Sequence, residues 1–108
     1  MIPTLDEATR ITGAVESVDV PGVEIIVVDG GSRDETCRLA REAGARVLTC
    51  QRGRARQLRM GGKESTGEAV LFLHADTRLE VGWAEAVREA LSDPGCAGGA
   101  FKLRFAER

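Results

Sequence analysis

The 108-residue sequence predicts an α/β protein, a three-layer α/β/α sandwich built on a mostly parallel sheet. Short apolar runs alternate with segments whose apolar residues recur at helical spacing, which gives the order βαβαβαβαβ. The runs are apolar almost without interruption, as is typical of parallel strands that helices cover on both faces. Right-handed crossovers connect such strands. We therefore expect one domain, residues 1–108, with a single modest core.

The first strand and the first helix are predicted within residues 1–18. Met1 to Leu5 is typical of the last residues of a strand. Thr4 and Glu7 stand three positions apart, which predicts a capping box at the start of a helix that continues to about Val18. The buried stripe of this helix is expected to consist of its apolar residues at helical spacing, Ile11, Ala14, Val15 and Val18.

The second strand and helix follow the Pro21-Gly22 break in the chain. Val23 to Val28 is an apolar and largely β-branched run that predicts a strand, and Asp29 follows it directly. Ser32 and Glu35 have the spacing of a second capping box, which predicts that a helix begins there. The apolar positions of that helix are Cys37, Leu39, Ala40 and Ala43.

A third strand and helix are predicted between residues 44 and 67. The second helix is expected to stop at Gly44, because glycine readily takes the left-handed conformation that ends helices. Ala45 to Cys50 then has the composition of a strand. Gly67 is expected to close the next helix, and one face of that helix is outlined by Ala55, Leu58 and Gly62.

The central strand is predicted at Ala69 to Leu73, a continuous apolar run of strand length. A fourth helix carries Trp83, Val87 and Leu91 on one face and ends at a Pro-Gly turn. Ala97 to Phe105 predicts a final strand, because apolar and basic side chains alternate along it.

Charge and composition exclude several classes of protein. Fifteen basic and 17 acidic residues give a net charge of −2, which does not favour binding to nucleic acid or to an anionic membrane. No apolar run approaches the roughly 18 residues of a membrane span, and no leader-like segment follows Met1, so we expect a cytoplasmic protein. The cysteines are odd in number and lack a C-x-x-C motif, which predicts buried free thiols at Cys37, Cys50 and Cys96.

Polar side chains follow two predicted strands, at the sheet edge where open α/β proteins bind ligands. Asp29 precedes two glycines that would let the backbone approach a ligand closely, although a turn that needs a positive φ explains them equally well. The Asp29 carboxylate can accept hydrogen bonds from a base imide or a ribose hydroxyl. His74 and Asp76 follow the central strand and are candidate contacts for a ligand or a metal. Alternatively, Asp76 starts the next turn or helix, and His74 has a packing role.

A basic loop at Arg52, Arg54 and Arg56 is expected to neighbour His74 and Asp76 if the third and central strands are adjacent. A diphosphate needs positive charge, which either guanidinium groups or a divalent cation held by carboxylates can supply. The alternative for each arginine is a solvated surface position.

Four motifs, in this order and spacing, resemble the family 2 glycosyltransferases, in particular a bacterial subgroup that carries HADT. The motifs are IPTLDEA at 2–8, EIIVVDGGSRDET at 24–36, GRARQ at 53–57 and FLHADT at 72–77. The resemblance implies a GT-A fold, a nucleotide-diphosphate sugar as donor, Mg²⁺ or Mn²⁺ as cofactor, and inversion at the anomeric carbon. The metal would stabilise the negative charge that grows on the leaving diphosphate.

On the nucleoside side of the donor, the resemblance implies that Pro3, Thr4 and Glu7 line the pocket. It implies that Asp29 contacts the base. From the residues alone, a helix cap is the preferred explanation of Thr4 and Glu7.

On the diphosphate side, the resemblance implies that Arg54 and Gln57 lie along the donor. Asp76 occupies the last position of the family's DXD-like motif, where it would hold the metal ion. His74 replaces the first aspartate of that motif, so the metal is held by Asp76 alone or by both residues.

The acceptor side of the reaction is not predicted from these residues. Family members continue beyond this length with an acceptor site and a general base, so the chain resembles a donor-binding half, and its catalytic base is unknown. The alternative is a non-catalytic nucleotide-binding module that forms a homodimer by pairing exposed sheet edges.

Overall fold

The computed structural model of the protein describes residues 1–65, 71–75 and 77–91. Within them the chain forms three strands and four helices. In chain order they are β1 (Ile2–Thr4), α1 (Ile11–Val18), β2 (Ile26–Asp29), α2 (Thr36–Glu42), β3 (Arg46–Thr49), α3 (Arg54–Glu64) and α4 (Trp83–Leu91).

The three strands form one parallel sheet in the order β1-β2-β3. Thr4 is in register with Asp29, and Asp29 is in register with Thr49. The carboxyl ends of all three strands are therefore level, and the last residues of β1 and β2 lie side by side.

Residues 71–73 lie beside β1, on the side away from β2. The Met1 amino group donates to the Leu71 carbonyl at 2.8 Å, and the Leu73 N–H donates to the Met1 carbonyl at 3.0 Å. On the other side of β1, the Thr4 carbonyl accepts the N–H of Gly30. Successive strand residues direct their backbone groups to opposite sides, so Met1 and Thr4 serve different neighbours.

This order of segments places helices on both faces of the sheet. The chain moves in one direction from β1 to β3, so right-handed crossovers put α1 and α2 on the same face, where they pack together. It then returns past β2 and β1 to residues 71–73, which puts α3 on the opposite face, against β1 and β2. The predicted three-layer α/β/α sandwich is confirmed.

The core lies between the sheet and α1. Val27 is completely buried and clusters with Ile2 from the neighbouring strand. The predicted stripe of α1 is confirmed, since its members are all at most 6% exposed: Ile11, Ala14, Val15 and Val18. Full burial of one such aliphatic side chain contributes about 1.5–3 kcal/mol to folding.

The fourth helix extends this core. Trp83 packs against the buried cluster, and its indole N–H donates to the Ser17 carbonyl of α1 at 3.1 Å. The predicted helix at this position is confirmed. The predicted final strand, 97–105, lies outside the described residues. None of the helices in the described part has the length and apolar character that crossing a bilayer would require.

Both predicted capping boxes are wrong. α1 begins only at Ile11, and α2 begins only at Thr36. The N-cap residues of both helices lie within the described part of the chain, and neither side chain makes a capping hydrogen bond. The hydroxyls of Thr4 and Ser32 bind Asp29 instead. A hydroxyl that donates to a buried carboxylate makes a charge-assisted hydrogen bond. This bond is stronger than the neutral one that the same hydroxyl oxygen would accept from an N–H group at a solvated helix start.

The predicted face of the third helix is also wrong. α3 buries Gln57 and Gly61, whereas Ala55 is exposed. At Gly61 the helix passes against the Met1 side chain, which occupies the space where a Cβ would lie. The close approach of Met1 therefore leaves no room for a side chain at Gly61.

Several predicted boundaries and burial states differ from the structure. α3 ends at Glu64 rather than at Gly67. β2 begins at Ile26 rather than at Val23, because the turn at residues 21–22 is followed by irregular backbone at residues 23–25. The free thiols of Cys37 and Cys50 are half-buried rather than buried. Cys96 lies outside the described residues.

Candidate functional site

The carboxyl edge of the sheet holds a hydrogen-bonded pair of polar side chains. Thr4 at the end of β1 donates from its hydroxyl to Asp29 Oδ1 at the end of β2, at 2.8 Å. Both residues are almost completely buried, with 2% and 1% of their surface exposed. The level register of the two strands brings them together.

The Asp29 carboxylate accepts three further hydrogen bonds from the loop after β2. The N–H groups of Gly31 and Ser32 donate to Oδ2 at 2.9 and 2.7 Å, and the Ser32 hydroxyl donates to Oδ1. Burial raises the pKa of Asp29, but the donors outweigh it, the Ser32 hydroxyl first, and the pKa lies below its ordinary value. Asp29 is therefore negatively charged at neutral pH.

The loop conformation that supplies these donors depends on Gly31. Its φ is +100°, a region in which residues with a side chain are strained. The second glycine of the sequence motif is thus explained by the turn itself.

Gln57 ties α3 to the ends of both strands. Its amide N–H groups donate to the carbonyls of Thr4 and Val28, both at 2.9 Å, and the residue is only 5% exposed. A Cβ on Gly30 would lie 2.9 Å from Gln57 Oε1 and 3.2 Å from the backbone of Arg52. The first glycine of the motif is therefore required by this close approach.

A second pair of predicted site residues meets at the start of α3. Arg54 Nη2 lies 2.9 Å from Nδ1 and 2.6 Å from Nε2 of His74, and both side chains are exposed. The third strand and residues 71–73 are not adjacent, since β1 and β2 lie between them. Arg54 reaches His74 because α3 crosses the sheet between these two segments. Arg56 instead binds Gln51, at 2.7 Å.

The other two predicted nucleoside-pocket residues lie on the β1 side. Pro3 is half-buried and in register with Val28. Glu7 lies in the loop before α1, where its carboxylate is 3.8 Å from the Arg10 guanidinium. The structure thus joins Thr4, Asp29 and Gln57 into one network and places Glu7 in the loop that follows β1.

Three polar residues that were not predicted as site residues also lie at this edge. Ser32, Asp34 and Thr36 bind backbone N–H groups of the loop between β1 and α1. Their sequence signal is the run of short polar side chains in GGSRDET, residues 30–36, which follows Asp29 directly. Such side chains readily bind nearby backbone groups, but sequence alone does not tell which ones.

The described residues do not form a divalent-metal centre by themselves. Among residues 1–65, 71–75 and 77–91, no three His, Cys, Asp or Glu side chains converge on one point. The imidazole nitrogens of His74 face a guanidinium, whose positive charge opposes a cation there. Asp76, the predicted metal ligand, lies outside the described residues.

Comparison with known proteins identifies the family. The family model for glycosyl transferase family 2 matches residues 1–108, the whole chain. No curated protein matches the sequence.

The solved structures with the same fold include two named proteins. Glucosyl-3-phosphoglycerate synthase from Mycobacterium tuberculosis, in complex with Mn²⁺, uridine diphosphate and glucosyl-3-phosphoglycerate, is 29% identical, with a TM-score of 0.63 over 70% of this chain and 32% of that chain. Residues 1–349 of S. aureus TarS are 22% identical, with a TM-score of 0.74 over 85% of this chain and 31% of that chain.

A third structure, described as a mycobacterial protein, is 32% identical, with a TM-score of 0.64 over 70% of this chain and 30% of that chain. The chain spans about a third of the length of these structures. The likeness to TarS shows the fold alone. With a GT-A fold and a family match along its whole length, the chain belongs to glycosyl transferase family 2.

Proposed function

We propose that the chain binds the donor of a metal-dependent, inverting glycosyltransferase, which moves a sugar from a nucleotide-diphosphate sugar to an acceptor. The observation that carries the proposal is the buried Thr4–Asp29 pair, level with the strand ends and beside the Arg54–His74 pair. A charged acceptor for the nucleoside and a cation for the diphosphate thus lie at one sheet edge, as a nucleotide-diphosphate ligand requires.

The nucleoside would bind at the ends of β1 and β2. Pro3, Thr4 and Glu7 would form one wall of the pocket, and Asp29 would contact the base. Because Asp29 is charged at neutral pH, it can accept a base imide N–H, which would take the place of the Ser32 hydroxyl on Oδ1.

The diphosphate would bind at the start of α3. The Arg54 guanidinium is exposed and can donate two parallel hydrogen bonds to phosphate oxygens. His74 would add a donor beside it, and Gln57, one turn further along α3, would hold this helix against both strand ends.

We assign Mg²⁺ or Mn²⁺ to Asp76. The assignment is supported by the synthase structures, which hold Mn²⁺ or Mg²⁺ together with uridine diphosphate. By its resemblance to the family's DXD-like motif, Asp76 would stand at the metal position.

Calorimetric titration of the chain with UDP and GDP, each with and without Mn²⁺, tests this function. We expect one nucleotide to bind and Mn²⁺ to tighten its binding. Asp76→Ala should abolish the effect of Mn²⁺, because it removes the carboxylate that would hold the ion. Asp19→Ala, which removes an exposed carboxylate just after α1, is the matched control and should behave like the wild type.

Two results would count against the proposal. If neither nucleotide binds under any condition, the donor site is wrong. If Asp76→Ala still responds to Mn²⁺ as the wild type does, the metal assignment is wrong while the nucleotide site stands.

A further inference from the structure

The loops that follow β1 and β2 are held together by an inter-loop latch. It consists of three consecutive N–H groups of the first loop, each donating to a side chain of the second: Asp6 to Ser32 Oγ at 2.8 Å, Glu7 to Thr36 Oγ1 at 2.9 Å, and Ala8 to Asp34 Oδ2 at 3.2 Å. In return, the Arg33 N–H donates to Asp6 Oδ1 at 2.8 Å. The two loops thus bind each other in both directions.

The latch provides acceptors for backbone N–H groups of the first loop that bind no acceptor in their own segment. The Glu7 carbonyl accepts the N–H groups of Arg10 and Ile11 at 3.0 and 2.9 Å, so a helical turn starts at Glu7, ahead of α1. The first N–H groups of such a turn point away from it and need outside acceptors. The second loop provides these acceptors, a task that an N-cap residue normally performs locally.

The backbone at the start of the first loop is held in an unusual conformation. Asp6 has a φ of +53°, the left-handed region that residues other than glycine seldom adopt. Its N–H and its carboxylate both bind the second loop, which compensates for this conformation. The loop between β1 and α1 therefore depends on the latch for its shape.

Thr36 is the buried centre of the latch. It is 0% exposed, and its hydroxyl accepts the Glu7 N–H while donating to Asp34 Oδ1. That donation is the main reason why the pKa of Asp34 lies below its ordinary value, and the N–H groups of Thr36 and Ala8 lower it further. One hydroxyl thus couples the first loop to the start of α2.

We propose that Thr36 and Asp34 are positioning residues that set the distance between the two walls of the nucleoside pocket. The inference rests on the proposed function, in which Glu7 lies on one wall and Asp29 on the other. Neither Thr36 nor Asp34 touches the nucleotide in this scheme. They order the first loop before the ligand binds, so that the free energy of binding is not reduced by the cost of ordering that loop.

Two substitutions of Thr36 distinguish the hydrogen bonds of its hydroxyl in the latch from the packing of its methyl group. Thr36→Val keeps the branched shape and removes the hydroxyl, whereas Thr36→Ser keeps the hydroxyl and removes the methyl group. Amide hydrogen exchange of Glu7 and Ala8, followed by NMR in the free chain, reports the latch. Calorimetry with UDP and GDP in the presence of Mn²⁺ reports the pocket.

In the wild type we expect the Glu7 and Ala8 amides to be protected. In Thr36→Val the Glu7 amide should lose its protection from exchange. The nucleotide should bind about 5- to 10-fold more weakly, a loss of binding free energy equivalent to roughly one hydrogen bond. Thr36→Ser should retain both properties. If Thr36 acted through packing alone, the serine variant would be the weaker binder, which would overturn the inference.

The surface residue Asp34 gives a second test that leaves the core intact. Asp34→Ala should expose the Ala8 amide to exchange and weaken nucleotide binding. Glu35→Ala is the matched control, since it removes a neighbouring carboxylate that binds Arg38 instead of the first loop. The control should change neither property.

Failure of this inference differs from failure of the proposed function. Unchanged exchange in Thr36→Val would disprove the latch, and lost protection with unchanged nucleotide affinity would disprove its role in the pocket. If the wild type binds neither nucleotide, the proposed function and the pocket role both fall, while amide exchange still decides whether the latch exists.

Discussion

Asp29 keeps a negative charge at the buried edge of the sheet because donors surround it on all sides. Thr4, Gly31 and Ser32 together make four hydrogen bonds to its two oxygens. A carboxylate has about four such acceptor positions, so the site is saturated within the protein. The charge thus organises the loop in addition to any contact with a ligand.

We predict that Asp29→Asn destabilises the fold by about 1–3 kcal/mol at neutral pH, because an amide has one acceptor oxygen in place of two. The pKa of Asp29 is lowered by folding, so its carboxylate stabilises the protein above the pKa of the unfolded chain. That contribution is lost as the pH falls through the lower folded pKa. The free-energy difference between wild type and variant should therefore shrink below about pH 4.

Urea denaturation of both proteins at several pH values between neutral and acidic measures this difference. A gap that stays constant over the whole range would show that the charge of Asp29 does not stabilise the fold. Asp19→Asn, at an exposed position, provides the baseline for the loss of one carboxylate.

At the scale of the elements, the two predicted capping boxes show that a local sequence pattern does not determine which groups a side chain binds. The spacing of Thr4 and Glu7, and of Ser32 and Glu35, matches a capping box, yet both hydroxyls bind Asp29. The N–H groups ahead of α1 donate to the neighbouring loop, whereas the first N–H of α2 donates to Asp34 in its own loop. The residue types were suited to capping, but the partners came from another strand end.

The buried amide of Gln57 holds three elements together, since α3 binds the ends of β1 and β2 through it. We predict that Gln57→Glu destabilises the fold by about 1–3 kcal/mol at neutral pH, because a carboxylate cannot donate to two carbonyls. Urea denaturation measures the change. Gln51→Glu makes the same chemical change on the surface beside Arg56, and we expect it to alter stability by at most about 0.5 kcal/mol.

Equal stability of Gln57→Glu and the wild type would mean that α3 is held by its other contacts alone. In that case Gln57 would be free to contact the donor directly, as the family resemblance implies. The outcome therefore bears on the site as well as on the fold.

At the scale of the whole molecule, one core joins the sheet to α1, α2 and α4. Ile11 is completely buried in it, whereas Val81 is fully exposed. We predict that Ile11→Ala destabilises the protein by about 2–5 kcal/mol, because it leaves a cavity in that core. Val81→Ala should have no measurable effect on stability.

Thermal and urea denaturation of these two variants test whether the core acts as one unit. A single cooperative transition that shifts only for Ile11→Ala is the expected result. Loss of α1 alone, with the sheet still folded, would show that the layers are stable independently of each other.

The sequence by itself determined the alternation of strands and helices, the parallel sheet, the buried stripe of α1 and the family. The first three follow from local composition and periodicity, which are legible along a single stretch of chain. Gly44, for example, was expected to end α2, and it takes a φ of +107° just past the end of the helix. The family follows instead from the resemblance of four motifs in their order and spacing.

Only the tertiary structure decided which polar groups meet. It turned the hydroxyls of Thr4 and Ser32 toward Asp29, brought Arg54 to His74 by carrying α3 across the sheet, and placed Thr36 under the first loop. A hydrogen bond depends on a distance of about 3 Å between groups that can be dozens of residues apart. Periodicity along the chain does not encode that distance, whereas the register of β1 and β2 and the path of α3 do.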